Sequence, residues 1–550
     1  MRRRTPQVGS RPHPRAVRGA SGVEQTLEAI RDTDSAQRTG MTLRSGRTIS
    51  VLTVGAATVV MAGLTPATAL AAEDPLQQYA QQKIRWERCD ASGPAAFECA
   101  KVKVPLDYSH LGGRKIDLAI SRIKAGSAKE RHGVLLMNPG GPGVPGLTMP
   151  LEMEPLLSAE VRERFDLVGF DPRGVGQSSP IGCDLTGDEQ TFQHPYTART
   201  FAKDVARART VADKCWAKAG DALPHITTRN TARDMDVVRA ALGERKISYF
   251  GYSYGTYLGA VYTQMFPRHS DRFVLDSALD PTLAWRGMFR GWSAGAELAF
   301  TRWTEWAAAR NATYGLGTTP AEVRKTYGEL IARADRTPVP TKGGALSGGA
   351  IRSEYGAFVH VATVTPWIVA LKAAAAGGAP APATPTASAV PDSVPVRSAE
   401  AGAATSGADV PADNQSAAVW AVFCGDTRSW PRNPELYRRD AIRDRAEYPL
   451  AGDLGANIQP CAFWKSARSE PATVVSNDVN ALIVQNEWDP QATLAMAQGM
   501  RRALHGARMV TVAGGEGHGV VVAGPSCADV DVTRYLTTGR LPAKDLTCGG

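Results

Sequence analysis

The sequence predicts an α/β protein with a mostly parallel sheet, helices on both faces of that sheet, and one long, mainly helical insertion. Two observations support this prediction. Short apolar or β-branched runs alternate with helical patterns, and most of the runs end in loops rich in Gly, Pro or Asp, as strand–helix–strand units do. The alternation stops between about residues 285 and 475, where Trp-rich helical segments replace it.

The predicted strands are apolar runs bounded by turn-forming residues. They are residues 115–123, 133–138, 165–170, 246–250, 272–276, 480–485 and 507–512. Helical patterns separate most of them, for example at 231–242 and 494–504. Strands that alternate with helices in this way favour a parallel sheet that is covered on both faces.

These patterns divide the chain into four parts. Residues 1–72 are predicted to be an N-terminal extension and signal peptide, 73–285 the first part of the core, 286–475 the helical cap insertion, and 476–550 the second part of the core. Within the cap, residues 373–415 are nearly all Ala, Pro, Gly, Ser, Thr and Val. Such a composition cannot bury a core and is typical of a flexible linker or loop.

The overall composition is that of an ordinary globular protein, with 43% hydrophobic and 21% charged residues. Most of the formal charge of +9 lies in the Arg-rich first 71 residues. No stripe of Lys and Arg with interleaved aromatic residues stands out in the rest of the chain, which argues against nucleic-acid binding.

A pattern typical of a secretory signal peptide follows a second methionine, Met41. Arg44 and Arg47 form a positive region, "ISVLTVGAATVVMAG" is an apolar stretch, and Ala69–Ala71 resembles a cleavage site. The apolar stretch is too short and too rich in small residues for a membrane span. We therefore expect a secreted, extracellular protein without stable membrane insertion after processing, in which residues 1–40 are an upstream misread start or a dispensable extension.

Export predicts that the cysteines are oxidised. Their number is even, and none forms a CxxC zinc pattern. We expect disulfides between neighbours in the sequence, which would pair Cys89–Cys99, Cys183–Cys215, Cys424–Cys461 and Cys527–Cys548. We expect no metal and no organic cofactor.

Two GxSxG sequences, "GYSYG" at 251–255 and "GWSAG" at 291–295, are candidates for a nucleophilic serine. A nucleophile elbow needs a buried strand, a tight turn and then a helix. "KISYF-GYSYG-TYLGAVYTQMF" supplies all three, whereas "GWSAG" lies within a helical pattern. The context therefore predicts Ser253 as the nucleophile, and Ser293 as a packing or surface residue of a helix.

A serine hydroxyl needs a base, and the base needs an acid that orients it. In α/β-hydrolases these follow the serine in the order acid, then histidine, each on a loop after a strand. Asp489 in "NEWDP" is preferred over Glu487 because Asp before Pro is well held in a strand-end turn. His518 in "GEGHG" is preferred over His505, which falls in the helix before the last predicted strand.

The oxyanion of the tetrahedral intermediate needs two donors. One is expected to be the N–H of Tyr254, directly after the nucleophile. The other is expected in "LLMNPGGPG" (135–143), where the prolines have no N–H and therefore leave Gly140 or Gly141. We prefer Gly141.

These motifs together resemble the secreted tripeptidyl aminopeptidases of actinomycetes, which belong with the prolyl-iminopeptidase-like α/β-hydrolases. The resemblance rests on "NPGGPG", "FDLVGFDPRGVGQS", "GYSYGTYLGAVYTQMFP", "VQNEWDP" and "GEGHG", and it covers most of 75–285 and 415–550. It implies Ser253 as the nucleophile, Asp489 as the acid and His518 as the base, which are the residues that their context predicts. The linker at 373–415 is an addition to the family pattern.

The leading interpretation is a secreted serine exopeptidase, a monomer that releases tripeptides or other short peptides from the free N-termini of peptide or protein substrates. An esterase or lipase of the same fold is the first alternative, since fold and triad serve both reactions. A catalytically inactive binding protein is the second, although it would require loss of a triad member, and none is missing.

An exopeptidase must recognise the free N-terminus of its substrate. A cap carboxylate at a fixed distance from the nucleophile would pair with the substrate ammonium in a partly desolvated pocket. The candidates are Asp426, Glu305 and Glu354. Asp426 is the first choice because a disulfide at the neighbouring Cys424 would fix its position.

Overall fold

The computed structural model describes residues 76–384, 409–465 and 470–549. The predicted signal peptide and the central part of the predicted linker lie outside these ranges. None of the described helices combines the length and the apolar character that a bilayer crossing requires.

Ten strands form one sheet. In chain order they are β1 (Glu87–Arg88), β2 (Glu98–Pro105), β3 (Lys115–Ile123), β4 (Gly133–Asn138), β5 (Phe165–Phe170), β6 (Ile247–Tyr252), β7 (Ser270–Asp276), β10 (Ala481–Trp488), β11 (Arg508–Glu516) and β12 (Leu546–Gly549). The two remaining strands, β8 (Val339–Thr341) and β9 (Gly344–Leu346), form a separate hairpin in the cap.

The order of the strands across the sheet is β1-β2-β3-β5-β4-β6-β7-β10-β11-β12. The first three pairings are antiparallel, and every pairing from β5 to β12 is parallel. This is the predicted fold class: a mostly parallel α/β sheet.

Burial explains why these residues form strands. Every residue of β4, with the sequence GVLLMN, is buried, as expected for a parallel strand that is covered on both faces. Near the antiparallel edge, β2 instead alternates buried Val102 and Val104 with exposed Lys101 and Lys103. One face of β2 therefore contacts solvent.

Helices cover the sheet and build the cap. The helices before residue 285 or after residue 475 are Gln77–Ala80, Met149–Met153, Ala159–Arg164, Phe201–Ala219, Thr228–Ala241, Tyr254–Met265, Leu494–Ala503 and Asp529–Thr538. The helices between those limits are Arg286–Ala308, Asn311–Tyr314, Pro320–Arg336, Gly348–Ser353, Val361–Ala375, Asn414–Gly425, Pro434–Glu447 and Gly452–Ala456.

The inserted region has a hydrophobic core of its own. Phe300, Trp303, Tyr327 and Phe358 pack ring against ring with centroid distances of 4.9–6.0 Å. The helix Asn414–Gly425 is different, because its buried side chains belong to the main core beside the sheet. Part of the region predicted as cap therefore packs directly on the α/β core.

Both ends of the predicted linker are packed in the structure. The helix Val361–Ala375 extends into it, and buried Ala381 pairs with Thr341 of the cap hairpin. At the other end, Asp413 accepts hydrogen bonds from two backbone N–H groups of the core loop 183–185. Only residues 385–408 of the predicted linker lie outside the described ranges.

Four disulfides join the predicted pairs. Cys89–Cys99, Cys183–Cys215, Cys424–Cys461 and Cys527–Cys548 are bridged, so pairing between sequence neighbours is confirmed.

The register of the parallel strands aligns the ends that carry the candidate site. Tyr252 of β6 lies opposite Asp276 of β7, and Trp488 of β10 lies opposite Glu516 of β11. Because the carboxyl ends of parallel strands meet at one edge of the sheet, the loops that follow these strands are neighbours.

Candidate active site

Ser253 lies on a sharp turn between β6 and the helix Tyr254–Met265. Its backbone has φ +56° and ψ −123°, a conformation that is strained for a residue with a Cβ and that nucleophile elbows adopt. Its N–H donates to the carbonyl oxygen of Asp276 on the neighbouring strand, over 3.0 Å. The strand-turn-helix context predicted from "GYSYG" is present.

The glycines on either side of Ser253 are required because neither position has space for a Cβ atom. A Cβ at Gly251 would lie 2.4 Å from the carbonyl oxygen of Gly255, and a Cβ at Gly255 would lie 2.7 Å from that of Asn138. Real Cβ atoms do not approach oxygen so closely, so larger residues would open the turn. The GxSxG pattern is therefore a packing requirement here.

Asp489 and His518 form a buried pair. The His518 Nδ1 atom lies 2.8 Å from Asp489 Oδ2 and 3.0 Å from Oδ1. Asp489 is itself fixed, because its Oδ1 accepts the N–H groups of Gln491 and Ala492, each over 2.8 Å. The carboxylate therefore holds the imidazole in one orientation.

The other ring nitrogen of His518, Nε2, is buried and has no hydrogen-bond partner among the described residues. An imidazole whose Nδ1 is held by a carboxylate and whose Nε2 is unpaired can accept a proton at Nε2. The ring of Tyr252, which directly precedes Ser253, lies 4.8 Å from the imidazole between centroids. The nucleophile turn and the histidine loop are therefore adjacent.

Hydrogen bonds from the sheet hold the histidine loop. The Asn486 side chain donates to the carbonyl oxygens of Gly517 and Gly519, over 3.1 and 2.6 Å. The Gly517 N–H donates to the carbonyl oxygen of Trp488 over 2.8 Å. Both glycines have positive φ, +96° and +105°, so the glycines of "GEGHG" allow the loop to turn tightly around His518.

The loop that follows β4 contacts the nucleophile turn from the other side. A Cβ on Gly140 would lie 2.4 Å from the Tyr252 carbonyl oxygen and 3.1 Å from the Tyr254 nitrogen. The Gly140 N–H is already used, donating to Asn138 Oδ1 over 3.0 Å. Gly141 instead lines the cavity beside Ser253. Of the two glycines left open by the sequence, the geometry favours Gly141 as an oxyanion donor together with Tyr254.

A cavity of about 400 Å³ opens beside Ser253. Most of its wall is apolar and includes Phe192, Trp285, Met288, Trp292, Trp420 and Phe423. The rings pack closely, with Phe192 stacked 5.0 Å from Trp420 and Trp285 at 4.8 Å from Phe423. Among the described residues that line it, none is an Asp, Glu, Lys, Arg or His. A substrate bound here meets aromatic faces and a few neutral polar groups.

Asp426, the first choice for binding an ammonium, lies behind this wall. It is buried, and it accepts hydrogen bonds from the N–H and hydroxyl of Thr228 and, over 3.1 Å, from the indole N–H of Trp285. The hydroxyl oxygen of Thr228 in turn lies 2.7 Å from that of Tyr254. Asp426 therefore supports the cavity wall and is not among the residues that line it.

The other two candidate acids do not line this cavity either, and they differ in burial. Glu305 is exposed on the helix Arg286–Ala308. Glu354 is half-buried, and its carboxylate has no hydrogen-bond or ion-pair partner among the described residues; burial raises its pKa above the ordinary value. Gly356 lies two residues later, and a Cβ built on it would be 3.8 Å from the Cβ of Pro490. The segment that carries Glu354 therefore lies against the Asp489 loop.

The serine, histidine and glutamate that were not preferred as catalytic residues have other partners. Ser293 is buried in its helix and donates to the Ala451 carbonyl oxygen over 3.1 Å, so its predicted packing role is confirmed. His505 is exposed and lies 3.4 Å from Asp478. Glu487 accepts the Gly514 N–H over 2.7 Å.

Sequence reasoning missed Asp276 and the aromatic wall. Asp276 ends β7 and accepts hydrogen bonds from the loop that follows His518. An acid at the end of a predicted core strand was the available signal for it. No local signal pointed to Phe192, which lies outside any helix or strand and meets the wall only through the fold.

The fold and the site define an α/β-hydrolase of the serine hydrolase class. A family model for the alpha/beta hydrolase fold matches residues 133–336, and one described as TAP-like protein matches residues 448–548. The chain belongs to the tripeptidyl aminopeptidase family of these hydrolases.

Three relatives illustrate this membership. The tripeptidyl aminopeptidase of Streptomyces lividans is 36% identical over 85% of this chain and 87% of its own length. The serine protease Hip1 of Mycobacterium tuberculosis is 30% identical over 85% of this chain and 91% of its own. Carboxylesterase B of the same species is 30% identical, over 84% and 89%. The resemblance noted in the sequence is therefore confirmed.

Proposed function

We propose that the protein is a secreted serine exopeptidase that releases tripeptides or other short peptides from free N-termini. The observation that carries the proposal is the buried Asp489–His518 pair, with an unpaired Nε2, beside the strained turn of Ser253. The peptidase names of relatives at 30–36% identity favour peptides as the substrate class. Four disulfides favour an oxidising, extracellular location.

In the proposed reaction, Ser253 Oγ attacks the carbonyl carbon of the scissile peptide bond while His518 Nε2 takes the hydroxyl proton. The N–H groups of Gly141 and Tyr254 stabilise the oxyanion. The imidazolium gives its proton to the leaving amine, and the C–N bond breaks. Water then attacks the acyl-enzyme with His518 as base, which releases the short peptide and restores Ser253.

Glu354 is the candidate that best fits recognition of the substrate N-terminus. A half-buried carboxylate without a cationic partner has lost hydration and gained nothing in return, so a substrate ammonium would compensate it. Tyr355, its neighbour, donates to Gln193 Oε1 over 3.1 Å, next to the wall residue Phe192. This segment thus contacts Gln193, the neighbour of a wall residue, and the Asp489 loop, which ties its position to the catalytic groups.

The esterase alternative rests on two observations. The cavity lining contains no ionisable side chain, which suits an uncharged ester, and one relative carries the name carboxylesterase. The two functions differ in what they require at the amino end of the substrate. A peptidase that reads a free N-terminus discriminates against an acetylated one, whereas an esterase does not.

The deciding experiment compares a free-amine tripeptide amide, its N-acetylated form and a short-chain ester. We expect the free amine to be cleaved with at least about tenfold higher kcat/KM than the acetylated form, since blocking the ammonium leaves the half-buried Glu354 carboxylate uncompensated. Glu354→Gln should raise KM for the free-amine peptide and leave the ester unaffected. Glu305→Gln, on the exposed helix face, is the matched control and should change neither. Equal cleavage of the free and acetylated peptides by the wild type would favour the esterase or an endopeptidase.

A further inference from the structure

Asp276, at the end of β7, contacts both halves of the proposed catalytic machinery. Its carbonyl oxygen accepts the Ser253 N–H over 3.0 Å. Its carboxylate accepts the N–H groups of Val520 and Val521 over 2.8 and 2.9 Å, with Val522 at 3.4 Å. These valines directly follow His518 and Gly519, so one residue joins the nucleophile turn to the histidine loop.

Ser277 strengthens the same connection. Its hydroxyl accepts the Gly519 N–H over 2.8 Å, and its own N–H donates to the Val484 carbonyl oxygen of β10 over 3.0 Å. It has φ +59°, a left-handed conformation that a non-glycine residue keeps only where its surroundings determine it. Such conformations concentrate at functional sites.

The Asp276 side chain not only holds a loop but also carries a buried, ionisable carboxyl group. The carboxyl is fully buried, and burial raises its pKa to about 6 against the opposing effect of the three N–H donors. The charge of His518 also opposes this rise and lowers the pKa of Asp276. A buried anion near the imidazole favours the imidazolium that forms when Ser253 loses its proton.

We propose that Asp276 is a positioning residue, which fixes the His518 loop relative to Ser253 and supports the imidazolium through its negative charge. This inference rests on the serine hydrolase chemistry proposed above, but not on the exopeptidase substrate. Asp489 contacts the imidazole directly, whereas Asp276 acts on it through the backbone of the following residues and through space.

The test compares Asp276→Asn with Asp171→Asn. Asp171 is an equally buried carboxyl that accepts three backbone N–H groups, from Gly146, Leu147 and Gln177. Burial raises its pKa to about 6 as well, but its bonds lie on the loops after β4 and β5, and none lies on the histidine loop. It therefore controls for the loss of a buried, loop-holding carboxylate as such.

The readouts are kcat and KM for a short-chain ester and for a tripeptide amide, the rate at which a fluorophosphonate labels Ser253, and the pH dependence of each rate. For Asp276→Asn we expect kcat and the labelling rate to fall about ten- to a hundredfold with little change in KM. The acid limb of the pH profile should move to lower pH, because the Asp276 carboxyl, whose pKa burial raises to about 6, no longer takes up a proton on that limb. Asp171→Asn should leave the midpoint of that limb in place.

The alternative outcomes are distinguishable. A wild-type midpoint in Asp276→Asn, or the same losses of Tm and kcat in both variants with unchanged pH profiles, would overturn the positioning role. If Asp276→Asn does not fold, Asp276→Glu replaces it: it keeps the negative charge, but the longer side chain must displace the Val520 and Val521 backbone that Asp276 holds, and an unchanged kcat there would refute the inference. Absence of Ser253 labelling in the wild type would instead refute the serine hydrolase function. Labelling without peptide cleavage would refute only the exopeptidase function.

Discussion

Arg302 of the cap helix donates a hydrogen bond to the carboxylate of Glu516, two residues before His518 in the chain. The same guanidinium lies over the ring of Trp488, 4.6 Å from its centroid, and Trp488 directly precedes Asp489. His360, also in the cap, lies 3.5 Å from Glu516. The cap is therefore fastened to the two strand ends that carry the proposed acid and base.

This ion cluster predicts a pH-dependent contribution to stability. Burial disfavours the ionised form of Glu516, but hydrogen bonds from His360 and Arg302 outweigh that effect and lower its pKa. A carboxyl with a lowered folded pKa stabilises the fold above its ordinary pKa of about 4.3, and the benefit is lost as the pH falls through the folded pKa. We expect Glu516→Gln to cost about 1 kcal/mol at neutral pH and progressively less below pH ~4. Thermal unfolding at several pH values measures this difference.

The control for that prediction is Glu329→Gln, also in the cap. Glu329 and its partner Lys325 are exposed and 3.9 Å apart, so the substitution should leave Tm unchanged at every pH. A Glu516→Gln penalty that persists undiminished in acid would contradict the assignment of the effect to the carboxylate charge.

The two GxSxG serines should respond differently to substitution. Ser253→Ala removes the proposed nucleophile and should lower kcat by at least about a thousandfold with little effect on Tm. Ser293→Ala removes one buried hydrogen bond to Ala451 and should cost about 1 kcal/mol of stability while activity persists. Kinetics and thermal unfolding of both variants measure the contrast. Comparable losses of activity would argue against Ser253 as the nucleophile.

The close approach of Gly140 to the nucleophile turn predicts that even a methyl group there is harmful. With φ +90° and only 2.4 Å between an added Cβ and the Tyr252 carbonyl oxygen, Gly140→Ala must displace the turn that carries Ser253. We expect loss of most activity, measured as kcat/KM for an ester. Gly243→Ala is the control: φ there is +77°, but no heavy atom lies within 4 Å of an added Cβ. It should cost about 1–2 kcal/mol of stability and leave kcat/KM intact.

The disulfide at Cys424 predicts a link between oxidation and substrate binding. Cys424 lies in the helix Asn414–Gly425, which contributes Val419, Trp420 and Phe423 to the cavity wall. Replacing Cys424 and Cys461 together by Ala should cost about 2–4 kcal/mol of stability and raise KM, because the wall helix loses its covalent anchor. The Cys89–Cys99 bridge joins the residue that follows β1 to β2, at the sheet edge away from Ser253. Its removal should lower Tm without changing KM.

The strands that sequence reasoning predicted are those whose signal is local. The observed β3, β4 and β5 have the predicted bounds, and β6, β7, β10 and β11 differ from them by a few residues at their ends. The sequence reasoning missed β2, although "AKVKV" alternates as a strand with one exposed face does. It also missed β12, a four-residue strand that depends on parallel pairing with β11. Such pairing between distant segments leaves little trace in a short stretch of sequence.

The candidate site likewise has one part that the sequence predicts and another part that it does not. The residue types around Ser253, Asp489 and His518 mark strand-end turns, and the structure brings all three loops to one edge of the sheet. The choice among the cap acids could not be made locally, because the burial and partners of a carboxylate depend on distant contacts. Asp426 binds Thr228, 198 residues away in the chain, and this contact takes it out of the cavity lining.

Because every cysteine is bridged, the reaction of cysteines with an alkylating reagent measures how much of the protein has opened. All eight cysteines lie within the described ranges, and each is bridged. The native protein thus offers no thiolate to an alkylating reagent such as iodoacetamide, and only thiolates react. In a mildly reducing buffer, each alkylated molecule is one whose bridge has opened. The position of the mass label along the chain then identifies which of the four bridges opened first.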